Sequence, residues 1–234
     1  MNFAVIPGRG FCFSVTLGKF CVMASADSQE LLAELESTLG PKPTPRTFEI
    51  MREVTDLFVE GVDTYSVSQF AVFDDVICRL IDHNGPPAVA EVSQKLAPVG
   101  KGPVNVVRRL ASDSNLAISG PFLKHCESVP EIDLVQYVKT KRMEYLTLIA
   151  TRPNLTAAIT DVLIERGDDE VRKIVLRNIG AKISDNGFVK LINEARAKPK
   201  LGEMIAARDD VPAELRPFLK AIQNSKQNTR QARR

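Results

Sequence analysis

A seven-residue pattern recurs in the second half of the chain, and it constrains the fold more than any other feature. In each clear copy an apolar residue and an alanine precede a short polar stretch, and another apolar residue stands six positions after the first. Clear copies occupy residues 110–116, 149–155 and 205–211, and a looser copy, one residue longer, occupies residues 176–183. The four copies begin 39, 27 and 29 residues apart. Spacings of this size are typical of stacked supersecondary units, most often pairs of helices.

The pattern has a simple physical interpretation. The first apolar residue and the alanine end one helix, the polar stretch turns the chain, and the last apolar residue begins the partner helix. We expect Ala111, Ala150 and Ala206 at tight helix crossings, because a methyl side chain lets a neighbouring helix approach closely. Such hairpins are apolar on both sides, so they bury their surfaces by stacking on one another. The alternative is a chance recurrence within an all-α bundle.

Helix-start signals support an all-α chain. Thr44 is a good N-cap with Pro45 at the first helical position, and Ser66 with Gln69 forms a capping-box pattern. Ser184 is a third predicted N-cap. Strand signals are almost absent after residue 26. From residue 86 onward the pattern predicts helices at 87–97, 103–111, 115–126, 131–139, 142–151, 155–166, 169–179, 184–196, 200–207 and 211–223.

Two further predictions concern the ends of the chain. The final helix is predicted to be capped by Asp209 and Asp210, with Pro212 in its first turn. Residues 224–234 carry four basic residues and no apolar residue except Ala232, so we predict a disordered basic tail.

The predicted organisation has four parts. Residues 1–26 form a disordered extension, 27–84 an N-terminal helical cap, 86–223 the repeat stack and 224–234 the basic tail. The sequence from Met23 resembles a natural start, which gives the hypothesis that residues 1–22 are absent from the native protein. A secretory signal is the alternative, although Lys19 interrupts its apolar stretch.

Composition limits the classes of function. The chain has 234 residues, 44% hydrophobic, and a net charge of +2, so it has enough apolar residues for a core and no general attraction for nucleic acid. With no Trp and three Tyr, a platform for stacking bases is not expected. No membrane span is predicted. The chain is not small and Cys-dense and has no C-x-x-C pair, so a disulfide scaffold is not indicated and a cytoplasmic protein is predicted; its cysteines are Cys12, Cys21, Cys78 and Cys126.

No constellation predicts catalysis, a cofactor or a metal site. Asp74 and Asp75 are adjacent carboxylates, but neighbours on a helix point about 100° apart, so we interpret them as a solvated face with interhelical hydrogen bonds. His125 adjoins Cys126 and diverges from it in the same way, whereas a zinc site needs about four converging ligands. Cys126 is expected to be a small buried hydrophobe.

Basic residues concentrate in the middle of the chain and are the candidate partner-binding residues. If they converge on one face they form a site for an acidic peptide or another anion; the alternative is a mixed solvated surface. The candidates are Arg108, Arg109, Lys124, Arg142 and Arg152.

Several short sequences are informative as a set. They are Leu31-Leu32-Ala33-Glu34-Leu35-Glu36, Arg52-Glu53-Val54-Thr55-Asp56-Leu57-Phe58, Arg109-Leu110-Ala111, Gly120-Pro121-Phe122-Leu123, Ile149-Ala150-Thr151-Arg152, Thr160-Asp161-Val162-Leu163 and Arg208-Asp209-Asp210-Val211-Pro212. Taken together, they resemble a family of uncharacterised bacterial proteins with HEAT-like or leucine-rich-variant-like helical repeats. The resemblance spans roughly residues 31–219 and implies an all-α repeat fold in a bacterial cytoplasmic protein, with no known activity or cofactor.

The predicted fold is therefore an α-solenoid of HEAT-like helical hairpins with an N-terminal helical cap. The first functional hypothesis is a non-enzymatic scaffold that binds a protein or peptide in bacterial signalling or regulation. The alternative is a nucleic-acid-binding repeat protein that uses Arg108, Arg109, Arg142, Arg152 and the basic tail. An enzyme is a third class, for which no residues can be named.

Overall fold

The computed structural model describes residues 44–222, and the prediction of an all-α protein is confirmed within that range. Every regular element there is a helix, and the one departure is an isolated parallel β-bridge between Leu155 and Ala181. None of the helices between residues 44 and 222 has the length and apolar character needed to cross a membrane. The predicted extension at 1–26 and tail at 224–234 lie outside the described residues.

The described residues divide into two compact units. The first contains residues 44–96 and 103–106, and the second contains residues 97–102 and 107–222. The helices of the first unit are α1 (Pro45–Gly61), α2 (Val67–His83) and α3 (Pro86–Leu96). A 3-10 turn (Ala97–Val99) follows, and then come α4 (Val104–Ser112), α5 (Leu116–His125), α6 (Glu131–Thr140), α7 (Met143–Ala150), α8 (Ala157–Arg166), α9 (Asp169–Arg177), α10 (Asp185–Ala195) and α11 (Pro199–Ala206). A second 3-10 turn (Ala213–Leu215) leads into helical residues 216–222.

The predicted N-caps Thr44 and Ser66 are confirmed at the starts of α1 and α2, and each forms a capping box, which the sequence predicted only for Ser66. The Thr44 and Ser66 hydroxyls accept hydrogen bonds from the backbone N–H groups of Thr47 and Gln69, and both boxes are reciprocal. α1 packs on both α2 and α3, with the Phe58 ring near the core of the unit. Because α3 packs on α1, the first unit includes residues 86–96, which the sequence analysis assigned to the repeat stack.

Asp74, on α2, supplies the N-terminal cap of α4. Its carboxylate accepts hydrogen bonds from the backbone N–H of Asn105 (3.1 Å), the Asn105 side-chain amide (2.9 Å) and the backbone N–H of Val106 (2.9 Å). Pro103 precedes the helix and has no side chain that could cap it, so these N–H groups depend on a distant acceptor. Asp74 is 8% exposed, whereas Asp75 is exposed. The predicted interhelical hydrogen bonds are therefore made by Asp74, and the predicted solvated face is that of Asp75.

We expect Asp74→Ala to lower the free energy of unfolding by about 2 kcal/mol, because it leaves two helix-start N–H groups without their acceptor. Asp75→Ala is the matched control, and since its side chain is exposed we expect a change below about 0.5 kcal/mol. Urea unfolding followed by circular dichroism measures both values. Equal values for the two variants would contradict the capping role.

The helices of the second unit follow a regular packing pattern. From α7 to α11, each helix contacts the helix two positions before it: α7 packs on α5, α8 on α6, α9 on α7, α10 on α8 and α11 on α9. The pairs α6–α7, α8–α9 and α10–α11 also pack as sequential neighbours. Fully buried side chains fill the spaces between them, including Phe122, Leu146, Ile149, Leu163, Val175, Phe188 and Leu191.

The predicted helix boundaries hold until the end of the described chain. Every predicted helix from 87–97 to 200–207 begins and ends within two residues of an observed helix. The prediction for the last helix is wrong at its start. Pro212 precedes a 3-10 turn and no side chain caps it, because the Asp210 carboxylate is instead bound to the Arg208 guanidinium (2.7 Å).

Candidate functional site

The repeated sequence pattern marks the turns that follow α4, α7 and α11. Its first apolar residue is buried in each clear copy, at Leu110, Ile149 and Ile205. Ala111 and Ala150 are also fully buried. The expectation for Ala206 is wrong, because its side chain is exposed.

The close approach near Ala206 occurs one turn earlier on α11. A Cβ atom placed on Gly202 would lie 3.5 Å from the Ala195 Cβ atom of α10. The small residue at this crossing is therefore a glycine outside the repeated pattern.

Arg152 is not a surface residue, which corrects its assignment as a partner-binding candidate. It is 6% exposed, and its guanidinium donates hydrogen bonds to the carbonyls of Phe122 (3.2 Å), Leu123 (2.9 Å) and Cys126 (2.8 Å). These carbonyls lie at the C-terminal end of α5, where carbonyl groups lack following helical N–H donors and where the helix dipole favours a cation; of the three, the Phe122 carbonyl also accepts a hydrogen bond from the Cys126 N–H. Burial lowers the pKa of Arg152. The side chain thus joins the turn after α7 to the C-terminal end of α5.

Arg208 has the same role in the next clear copy of the pattern. Its guanidinium donates hydrogen bonds to the carbonyls of Val175, Leu176, Asn178 and Ala181, at 2.8–3.4 Å. Both arginines stand three positions after the first apolar residue of their copy, Ile149 or Ile205. That shared position is the signal in the sequence that could have indicated a common structural role.

Asn178 connects the two arginine-bearing turns. Its side-chain amide donates to the carbonyls of Ala150 (2.9 Å) and Arg152 (2.7 Å). Beside it, the Leu155 N–H donates to the Gly180 carbonyl (3.1 Å) and the Lys182 N–H donates to the Leu155 carbonyl (2.9 Å). We call this series of contacts the turn ladder, formed by the hydrogen bonds of Arg152, Leu155, Asn178, Lys182 and Arg208.

The other four candidate residues are exposed, and the structure gives them different surroundings. The Arg108 guanidinium lies 3.3 Å from the Asp133 carboxylate of α6. Lys124 lies in the last turn of α5, and Arg142 is the N-cap residue of α7. Arg109 is an exposed residue of α4. Part of the basic charge is therefore balanced by neighbouring acid.

Cysteine and histidine side chains do not assemble into a metal site within residues 44–222. Cys126 is buried, as the sequence predicts, and burial raises the pKa of its thiol. His125 is exposed, and the His83 ring nitrogen Nδ1 bonds to the Arg79 carbonyl (2.9 Å).

An open cleft of about 440 Å³ lies between the end of α9 and the end of α11. We call it the α9–α11 cleft. Ile179 lines it and is 95% exposed. The other lining residues are Leu176, Met204 and Ala207, which are apolar, and Arg177, Arg208, Asp209 and Asp210, which are charged.

A second cleft, of about 300 Å³, lies two helical hairpins earlier, beside the turn that Arg152 fastens. Arg152 and Ile159 line it, and so do the acidic residues Glu127 and Glu131. Each cleft therefore lies against one of the two arginines of the turn ladder.

Comparison with known proteins finds a family match in the second half of the chain. Residues 118–229 match the profile of the family described as "Uncharacterised protein conserved in bacteria (DUF2336)". No curated protein and no solved structure matches the chain. The predicted resemblance to an uncharacterised bacterial family is therefore confirmed over residues 118–229. The DUF2336 match begins in α5, and it contains both clefts and the whole turn ladder.

Proposed function

We propose that residues 107–222 form an α-solenoid of HEAT-like helical hairpins, and that this stack is a non-enzymatic scaffold that binds another protein in bacterial signalling or regulation. The observation that carries the proposal is the packing of each helix from α7 to α11 on the helix two positions before it. Contact between equivalent helices of successive hairpins is what a solenoid requires. The turn ladder supports the same arrangement, because it joins successive turns.

The surface chemistry favours a protein partner over nucleic acid. Of the residues proposed to contact phosphate groups, Arg152 is buried and Arg108 is paired with Asp133. Both clefts combine apolar side chains with acidic residues. Acidic groups repel phosphates, whereas apolar surface with mixed charge suits a peptide or a helix of another protein.

The test begins with the full chain as bait in a bacterial lysate, followed by purification of the captured protein and reconstitution of the complex. Calorimetry at low and high salt then measures the affinity, and hydrogen exchange maps the protected surface. We expect an affinity that changes little with salt and protection within residues 107–222. If binding is lost on nuclease treatment, or falls steeply with salt, the scaffold proposal is wrong and nucleic-acid binding is the better explanation. Protection confined to residues 44–96 would also contradict the proposal.

A further inference from the structure

We propose that the α9–α11 cleft binds an amphipathic segment of another protein, with one large apolar side chain seated against Ile179 and Met204. In this complex a carboxylate of the segment pairs with Arg177, and a cationic side chain pairs with Asp209. The inference rests on the proposed scaffold function and adds to it the place of binding and the chemistry of the partner.

The size and lining of the cleft suit an apolar side chain. Its volume of about 440 Å³ falls in the range of about 300–1,000 Å³ that is usual for small-molecule pockets, so the cleft has room for a large side chain of a partner. Ile179 is 95% exposed at its edge, so an apolar partner would remove aliphatic surface from water. Arg208 lines the cleft and is already held by hydrogen bonds to four carbonyls, so its side chain loses little entropy when a partner binds.

The charges around the cleft determine which kind of segment fits. Arg208 and Asp210 neutralise each other through an ion pair at 2.7 Å. Arg177 and Asp209 line the cleft without an ion-pair partner of their own among residues 44–222. The rim therefore offers one cation and one anion. A polyanion would be repelled by Asp209, and a polycation by Arg177, so the complementary segment carries one charge of each sign.

The tail of this chain does not have that chemistry. Residues 223–234 contain four basic residues, no acidic residue and no apolar side chain larger than that of alanine. They cannot supply the apolar side chain or the carboxylate that the cleft requires. This segment is therefore excluded as the occupant, and the occupant we propose is a segment of another protein.

A displayed library of random-sequence peptides, selected on the full chain, tests the inference. We expect the selected peptides to share one large apolar residue flanked by an acidic and a basic residue. A fluorescent form of a selected peptide is then titrated against protein variants by anisotropy. Ile179→Asp is expected to weaken binding at least about tenfold, because it places a charge against the apolar anchor. Ile132→Asp is the matched control, since Ile132 is 75% exposed on α6 and does not line the cleft, and it should leave the affinity unchanged.

A charge reversal provides an independent readout. Arg177→Glu should weaken binding of the selected peptide. A second peptide, whose acidic residue is replaced by lysine, should bind the Arg177→Glu protein with the affinity restored. If the selected peptide binds the wild-type protein and Ile179→Asp with equal affinity, the proposal of binding at the α9–α11 cleft is wrong. The scaffold function would remain, since the chain would bind the peptide elsewhere. Selection of uniformly charged peptides, or of no peptide, would also contradict binding at the cleft. The scaffold function would then be decided by the lysate experiment alone.

Discussion

Replacing Gly180 with alanine is expected to lower the free energy of unfolding by about 3 kcal/mol, because the site has no room for a side chain. A Cβ atom there would lie 1.6 Å from the carbonyl oxygen of Pro153 and 2.8 Å from its carbonyl carbon. Both are backbone atoms, so no side-chain rotation relieves the clash. The two segments are also joined by the hydrogen bonds of Leu155 with Gly180 and Lys182, so moving them apart breaks those bonds.

Gly85→Ala is the matched control for this substitution. A Cβ atom at Gly85 would meet only the Pro87 side chain, at an ordinary 3.8 Å. Because alanine restricts the unfolded chain more than glycine does, we expect a change between zero and about 1 kcal/mol in the stabilising direction. Urea unfolding of the two variants gives the comparison. A Gly180→Ala protein as stable as the Gly85→Ala protein would show that the turns do not approach as closely as described.

Arg152→Met is expected to have an effect of similar size, a loss of about 3 kcal/mol. Methionine keeps most of the apolar stem and removes the guanidinium. The Phe122 carbonyl retains a hydrogen bond from the Cys126 N–H, but the carbonyls of Leu123 and Cys126 lose their donor inside the protein. A buried acceptor without a donor costs about 1–3 kcal/mol, and the favourable interaction of the cation with the end of α5 is lost as well.

Two further variants distinguish this role from a general effect of charge. Arg142→Met removes the same group from an exposed site, and we expect a change below about 0.5 kcal/mol. Arg152→Lys keeps the charge but not the planar fork of donors, so its stability is expected to fall between those of Arg152→Met and the wild type. If Arg152→Met unfolds at the same urea concentration as Arg142→Met, the bonds to α5 contribute nothing to stability.

The helices could be predicted from the sequence because their signals are local. The Thr44 and Ser66 caps each act within three residues of the chain, and the apolar periodicity that defines a helix spans a few turns. The roles of Arg152 and Arg208 could not be predicted in the same way. Their acceptors lie 26–33 residues earlier in the sequence, and an arginine in a polar turn is normally solvated.

The error at Ala206 has a related cause. A small residue can allow a close helix crossing, but the sequence does not tell which small residue of a helix faces its neighbour. On α11 that residue is Gly202, which lies opposite Ala195 on the preceding helix. For Asp74 the sequence indicated interhelical hydrogen bonds but not their donors, because these lie on α4, about thirty residues away.

The turn ladder also bears on how residues 107–222 lose their structure. Arg208 bonds to the Asn178 carbonyl, Asn178 bonds to the Arg152 carbonyl, and Arg152 bonds to carbonyls at the end of α5. If one connection melts, polar groups in the next connection therefore lose their hydrogen-bond partners. Nearest-neighbour coupling of this kind favours all-or-none melting over gradual fraying from one end. We expect the amide protons of Leu155 and Lys182, although they lie in loops, to exchange with deuterium as slowly as those in the middle of the helices.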